Sequence, residues 1–224
     1  MGGYACGTVA LANTRRYHGL LIASLTPPAE RTLMVAKFDA SIEYDGTGYE
    51  LGANEFSDGT IAPQGFVHIE SFSLRDGIPT WHYAFDDALL EMRIFMAPFA
   101  ATSYVGFTLL RGAARASLAI KPYVCYRGHH GDSRGAPSYR IEAAQRECRV
   151  LAFEAARPYR LLIDRGRFEG GGACYWNFLH REEAARGLAA IEDLWMPGVF
   201  HAELGAGERL FLTATAEPAV SADG

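Results

Sequence analysis

Three stretches of the chain collect side chains that can carry charge, move protons or stack on a ligand. The first is Asn13-Thr14-Arg15-Arg16-Tyr17-His18-Gly19, reached through the glycine-rich lead Gly2-Gly3-Tyr4-Ala5-Cys6-Gly7-Thr8. Its polar side chains form a platform for an anionic or sugar ligand, or pair with carboxylates across a domain surface. On an extended chain Arg15 and Arg16 point to opposite sides, so at most one of them shares a site with Tyr17. The second stretch is Arg127-Gly128-His129-His130-Gly131. It follows a strand-like run ending at Tyr126, and loops at strand ends are where a rigid scaffold presents binding residues. Adjacent histidines diverge on an extended chain and no third ligand stands at a helical spacing. Hydrogen bonding to a sugar or an interface, or plain solvation, therefore fits better than a metal. The third comprises Tyr175-Trp176-Asn177, Glu182-Glu183 with Arg186-Gly187, and Ile191-Glu192-Asp193-Leu194-Trp195-Met196 ending in a Pro197-Gly198 turn. Tryptophans beside carboxylates suit a carbohydrate surface, because sugar C–H faces stack on rings while hydroxyls need polar partners. A plain ion pair on one helical turn, Glu182 or Glu183 with Arg186, accounts for the same residues.

None of these stretches amounts to a self-contained catalytic set. Glycoside hydrolysis needs two carboxyl groups roughly 5–5.5 Å or 6.5–9.5 Å apart across the bond. Glu192 and Asp193 are neighbours and diverge on a helix or a strand alike. No Gly-x-Ser-x-Gly elbow is present, and no Ser-His-Asp set is recognisable. Gly170-Gly171-Gly172 lacks the Lys-Ser/Thr of a phosphate loop and reads as a hairpin turn. Cys6, Cys125, Cys148 and Cys174 are far apart with no Cys-x-x-Cys pair. They read as buried free thiols of a reducing compartment rather than as zinc ligands or disulfides. No metal and no cofactor is expected. The net charge is -5, and the 21 basic residues, of which only Lys37 and Lys121 are lysines, are scattered. A nucleic-acid binder would show a basic stripe. No apolar run reaches the ~18 residues of a membrane span, and the N-terminus has no secretory pattern. A cytoplasmic location is expected.

The elements that must position these residues read as antiparallel β. The 224 residues, 49% of them hydrophobic, suffice for a sizeable core. From Arg31 to Tyr44 the even positions Met34, Ala36, Phe38, Ala40, Ile42 and Tyr44 are apolar or aromatic, while Lys37, Asp39, Ser41 and Glu43 alternate with them. This two-residue period predicts a strand with one buried and one wet face, and Asp45-Gly46 supplies the turn after it. Further strands are expected at 64–74, 80–85, 89–96, 103–110, 115–126, 148–153, 159–163, 173–178 and 209–214. About a dozen strands with turn signals between them point to a large sandwich. One short helix is expected near 181–191, broken by Gly187.

The run Gly-Gly-Tyr-x-x-Gly-Thr…Asn-Thr-Arg-Arg-Tyr-His-Gly-Leu-Leu, residues 2–21, resembles the N-terminal domain of the bacterial and archaeal type of glycogen debranching enzyme. Pro27-Pro28 with Arg31, the loop Tyr126-Arg127-x-His129-His130, and Glu183-x-x-Arg186-Gly187 with Glu192-Asp193-Leu194 and Pro197-Gly198 fit the same pattern. Gly128 and Ala189 depart from it, standing where the family commonly has aspartate. The resemblance implies an all-β fold, a large antiparallel β supersandwich like the glucoamylase N-domain or galactose mutarotase. It implies that 1–224 is a single N-terminal domain whose catalytic helical barrel lies outside this chain. In that family the barrel carries the catalytic carboxylates, and the parent activity is that of an amylo-α-1,6-glucosidase acting on α-1,6-linked glucose stubs of glycogen. The implied partners are the barrel and branched α-glucan, with no nucleic acid and no membrane. Arg15, Arg16, Tyr17, His18, Arg127, His129, His130, Trp176, Glu183, Arg186, Glu192, Asp193 and Trp195 are the expected interface or substrate contacts, and none is expected to be catalytic. Two other readings remain: a stand-alone carbohydrate-binding module with coplanar aromatics, and a mutarotase-like epimerase with His129 or His130 beside Glu192.

Overall fold

A computed structural model of the chain describes residues 2–26 and 29–222, so Pro27 and Pro28 lie outside the described residues. The strands in chain order are β1 (Tyr4–Cys6), β2 (Gly19–Thr26), β3 (Ala29–Tyr44), β4 (Thr47–Glu50), β5 (Ala53–Glu55), β6 (Ile61–Gln64), β7 (Ile69–Arg75), β8 (Ile78–Phe85) and β9 (Ala88–Met96). They continue with β10 (Thr102–Arg111), β11 (Ala116–Gly128), β12 (Arg140–Ala144), β13 (Glu147–Leu151), β14 (Tyr159–Ile163), β15 (Arg167–Leu179), β16 (Ile191–Leu204) and β17 (Arg209–Thr215). A single α-helical turn, α1 (Arg181–Ala184), links β15 to β16. It is shorter than the expected 181–191 segment, and Gly187 follows it at φ +70°.

The strands form two large sheets. One has seven strands, in the order β1-β2-β3-β11-β16-β15, with β4 added on β3. The long β3 carries β2 along Ala29–Val35 and β4 along Ser41–Tyr44. The other sheet has eight strands, in the order β12-β13-β14-β17-β10-β9-β8-β7. Tight turns at Asp45-Gly46 and Asp76-Gly77 join β3 to β4 and β7 to β8. All four residues have positive φ, the geometry that matches the twist of a two-residue hairpin. The main core lies between the sheets. Phe38, Ile42, Leu118, Ile120 and Phe200 from the first meet Tyr83, Leu90, Val105, Phe107 and Leu212 from the second. The fold is an all-β antiparallel sandwich, as the sequence pattern and the resemblance imply.

The seven-stranded sheet is apolar on both faces at its centre. Val124 faces the main core, while its neighbours Tyr123 and Cys125 join a second cluster with Ile22, Leu33, Phe178, Leu194 and Met196. The β5–β6 hairpin covers part of this outer face, with Phe56 bridged to Phe178. The regular alternation expected for 31–44 fails in two ways here. A β-bulge opposite Tyr123-Val124 adds one residue to β3 and turns Ala36 to the second cluster. Lys37 and Asp39, expected on a wet face, are buried under the hairpin. Buried charge requires partners. Lys37 Nζ donates to the Ala53 carbonyl (2.6 Å) and the Asn54 side chain, and Asn54 Nδ2 donates to Asp39 (2.6 Å).

Two expected turns are strand interior. Pro197-Gly198 lies within β16, and Gly170-Gly171-Gly172 lies within β15. The glycines form an irregularity in the β15–β16 ladder. A Cβ on Gly172 would sit 2.0 Å from the Trp195 ring, so the run gives room for that indole. Trp195 accordingly packs against the main core rather than standing free.

Candidate functional site

The three sequence stretches meet at one end of the seven-stranded sheet. Residues 14–18 turn just before β2, with His18 N donating to the Arg15 carbonyl (3.1 Å) and Thr14 N to His18 Nδ1 (3.1 Å). This turn lies beside the end of β11, the start of β16 and α1. Glu192 sits at the centre and is 1% exposed. It accepts hydrogen bonds from Arg127 Nε and Nη2, the latter at 3.1 Å, and from Ser133 N at 3.3 Å, and His180 Nε2 lies 3.3 Å away. Burial pushes the Glu192 carboxyl up, but the His180 contact and the Arg127 guanidinium outweigh it and hold the group below the ordinary carboxylate range. Arg127 also donates to the Arg16 carbonyl at 2.9 Å, which ties the first stretch to the second.

Arg16 extends the network. Its guanidinium donates to the backbone carbonyls of His130 (2.8 Å) and Ala189 (2.5 Å), and lies 3.5 Å from Asp132 and 4.0 Å from Glu183. Glu183 is fully buried and also meets Arg186 at 3.4 Å. Burial raises the Asp132 carboxyl above its ordinary range, and Arg16 only partly opposes this. Arg15 turns away and pairs with Glu182 at 3.4 Å. Only one of the two arginines therefore shares a partner with Tyr17, whose hydroxyl lies 3.1 Å from His130 Nδ1. His129 and His130 do not diverge: a turn closed by Gly131 N on the Gly128 carbonyl brings their rings to 4.0 Å. His129 Nδ1 lies 3.2 Å from the Arg31 carbonyl, and burial lowers its pKa. Among the described residues no group of three or more His, Cys, Asp or Glu is placed to share a metal ion. The four cysteines are free, but Cys6 is exposed and Cys174 only partly buried, so only Cys125 and Cys148 meet the expectation of buried thiols.

Glu192 and Asp193 diverge as neighbours on a strand must. Asp193 accepts from Asn177 N (2.8 Å) and Gly135 N (2.9 Å), and lies 3.3 Å from Arg134. The carboxylates at this end are thus engaged by arginine, histidine or backbone N–H groups. Asp132 Oδ1 and Glu183 Oε1 are buried without a hydrogen-bond partner. The expected epimerase pair of His129 or His130 with Glu192 is not formed. The histidine beside Glu192 is His180, not His129 or His130, and both partners are buried. The exposed rim carries His130, Trp176 (47% exposed) and Arg186, with Tyr17 partly buried among them. Trp195 is not part of the rim. Among large apolar side chains that face solvent, Val9 and Phe72 share one cavity with Leu11, Trp81, Ile94 and Phe95, while Phe99 and Phe153 stand in loops.

Sequence reasoning missed Asp132 and His180. Asp132 stands two residues after the His pair in a loop without pattern, and His180 is a lone histidine before α1. It also missed a Ser-His-acid row. Ser71, His82 and Glu91 are register partners on β7, β8 and β9, with Ser71 Oγ 3.0 Å from His82 Nδ1 and His82 Nε2 3.4 Å from Glu91. They stand on three successive strands, so no local motif could reveal them. Trp81 and Tyr83 point into the main core, so His82 between them lies on the other face of the sheet, where it is still buried. Arg75 neutralises Glu91 from 3.2 Å, which makes the row a cross-strand polar ladder.

Fold and site define a large antiparallel β-sandwich with a charged end built from three separate stretches. The family model described as the N-terminal region of glycogen debranching enzyme matches residues 1–211, and the chain belongs to that family. It is therefore a member of a domain class found in glycoside-active enzymes. No curated protein matches the chain. Among solved structures it is similar to a protein described as a kojibiose phosphorylase from the human microbiome, at 10% identity and a TM-score of 0.38, over 89% of this chain and 26% of that one. The chain thus spans about a quarter of that protein's length. Among the described residues no helix is long and apolar enough to cross a membrane.

Proposed function

We propose that this chain is the non-catalytic N-terminal domain of a glycogen debranching enzyme, seated against a helical (α/α)6 barrel that carries the catalytic carboxylates. The parent reaction in this reading is amylo-α-1,6-glucosidase cleavage of glucose stubs on branched α-glucan, in the cytoplasm. The observation that carries it is the family match across residues 1–211. The charged end supports it from the chemical side. Its carboxylates are committed to ion pairs and backbone N–H groups, so they hold a surface in shape rather than attack a glycosidic bond. Tyr17, His130, Trp176 and Arg186 then serve as contacts to the barrel or to a glucan branch at its mouth.

The test is reconstitution. A separately expressed barrel is assayed for glucose release from limit dextrin, with and without the 224-residue chain. The chain alone is expected to release none, and its addition to raise the barrel's activity. Replacing Trp176 and Arg186 together by alanine is expected to weaken that rise without unfolding the domain, since both side chains are largely exposed. Glucose release by the chain alone, or a barrel indifferent to it, overturns the reading.

A further inference from the structure

Most histidine rings with a polar partner in this chain can gain a proton without losing that contact. His129 Nδ1 lies 3.2 Å from the Arg31 carbonyl, which accepts from a protonated ring as well. His130 and His82 face the hydroxyls of Tyr17 and Ser71, which turn to suit either form. His180 and His201 face carboxylates. His18 differs from all of these. Its Nδ1 accepts from the backbone N–H of Thr14 at 3.1 Å, and a backbone N–H can only donate. Among the described residues no other histidine ring nitrogen is bonded to a backbone N–H. The contact therefore fixes the neutral tautomer, with its proton on Nε2. A second proton on the ring would set one N–H against another and break the bond.

The turn closed by this bond is a junction. The Arg16 carbonyl accepts from Arg127 Nη2 at 2.9 Å, the Thr14 carbonyl from Glu182 N at 3.0 Å, and the Tyr17 carbonyl from the Tyr4 hydroxyl at 3.2 Å. The Arg16 guanidinium and the Tyr17 hydroxyl reach on to His130. Charged groups meet the half-buried His18 ring from three places: Arg15 in the turn itself, His180 before α1, and Glu182 and Glu183 on α1. Burial is the largest influence. Together with His180 and Arg15 it holds the ring's pKa below its ordinary 6.5, against the two glutamates. An open turn leaves the ring in water at the ordinary value, so opening is favoured increasingly as pH falls below 6.5.

We propose that His18 is an acid-released latch: its neutral ring holds the 14–18 turn closed, and protonation frees the turn, and with it Tyr17, from the end of β11 and from α1. The inference does not depend on a barrel or a glucan, because every group in it belongs to this chain.

Nitrogen-15 NMR of the whole chain tests it, read from about pH 7.5 down to about pH 5. At the upper end the His18 ring is expected as the Nε2–H tautomer. As the ring titrates, protection of the Thr14 amide against hydrogen exchange, taken relative to an unstructured amide at the same pH, is expected to fall about tenfold. The His129 amide, which donates to the Arg31 carbonyl at 3.0 Å, is expected to keep its protection. His18→Asn places a side-chain oxygen near the Nδ1 position and cannot titrate there, so Thr14 is expected to stay protected throughout. Asp132 and the other carboxylates remain in that variant, so it separates their response to acid from that of His18. An Nδ1–H tautomer at neutral pH, a Thr14 amide unchanged while His18 titrates, or an equal loss of protection in His18→Asn overturns the proposal. The first two readouts use the unaltered chain and decide the matter even where the variant does not fold. None of these outcomes bears on barrel reconstitution, so the two readings fail separately.

Discussion

The charged end of the seven-stranded sheet and the cross-strand row on the eight-stranded sheet use the same residue types and differ in how far their arginine reaches into water. At the charged end Glu192 is 1% exposed and Arg127 8%. In the row the His82 and Glu91 side chains are also largely buried, at 8% and 13% exposure, but the Arg75 side chain that meets Glu91 is 54% exposed. Water thus reaches the cation of the Arg75–Glu91 pair and is kept from both members of the Arg127–Glu192 pair. Removing one partner of a buried, hydrogen-bonded pair strands the other charge, at about 3–5 kcal/mol. An exposed pair contributes only about 0–1 kcal/mol.

The largest effect is expected at the charged end. Arg127→Met leaves Glu192 buried without its main cation and is expected to lower unfolding stability by about 3–5 kcal/mol in a urea titration. A loss below 1 kcal/mol would place Glu192 with the screened pairs and erase the contrast. Gly172→Ala touches neither cluster, but its Cβ meets the Trp195 ring and is expected to cost about 1–3 kcal/mol by overpacking. Because it leaves every charge in place, its stability is expected to follow pH as the parent does. The pH dependence itself sharpens the comparison. Glu192 has a folded pKa below its ordinary value of 4.5, so its contribution is present above about pH 4.5 and is lost as pH falls through the lower folded value. Asp132, raised above 3.8 by burial, acts in the opposite sense, opposing folding as pH rises through its ordinary value. Stability measured between pH 3 and 6 is therefore expected to fall less steeply with acid in Glu192→Gln than in the parent. The smallest effect belongs to Arg75→Ala, at about 0–1 kcal/mol in the same titration.

Strands with a single buried face were legible in the sequence. Val105, Phe107 and Leu109 alternate with more polar neighbours, and all three are fully buried. The strand expected at 159–163 is β14. β16 was not legible, because it is buried on both faces and its side chains are nearly all apolar or paired, which removes the two-residue period. At the site, the three stretches and most of their residues were legible from side-chain type. Their partners were not: Glu192 with Arg127, and Arg16 with Asp132, lie across turns that no local pattern specifies.

Composition, alternation and turn residues by themselves determined that this chain makes antiparallel sheets and which of its residues were available for polar work. These are local properties, set by side-chain period and backbone preference. Only the tertiary structure decided that Glu192 is locked by Arg127 and His180 and that Lys37 and Asp39 are covered by a hairpin. Whether a charge is stranded, paired or solvated depends on which distant segment comes to rest over it.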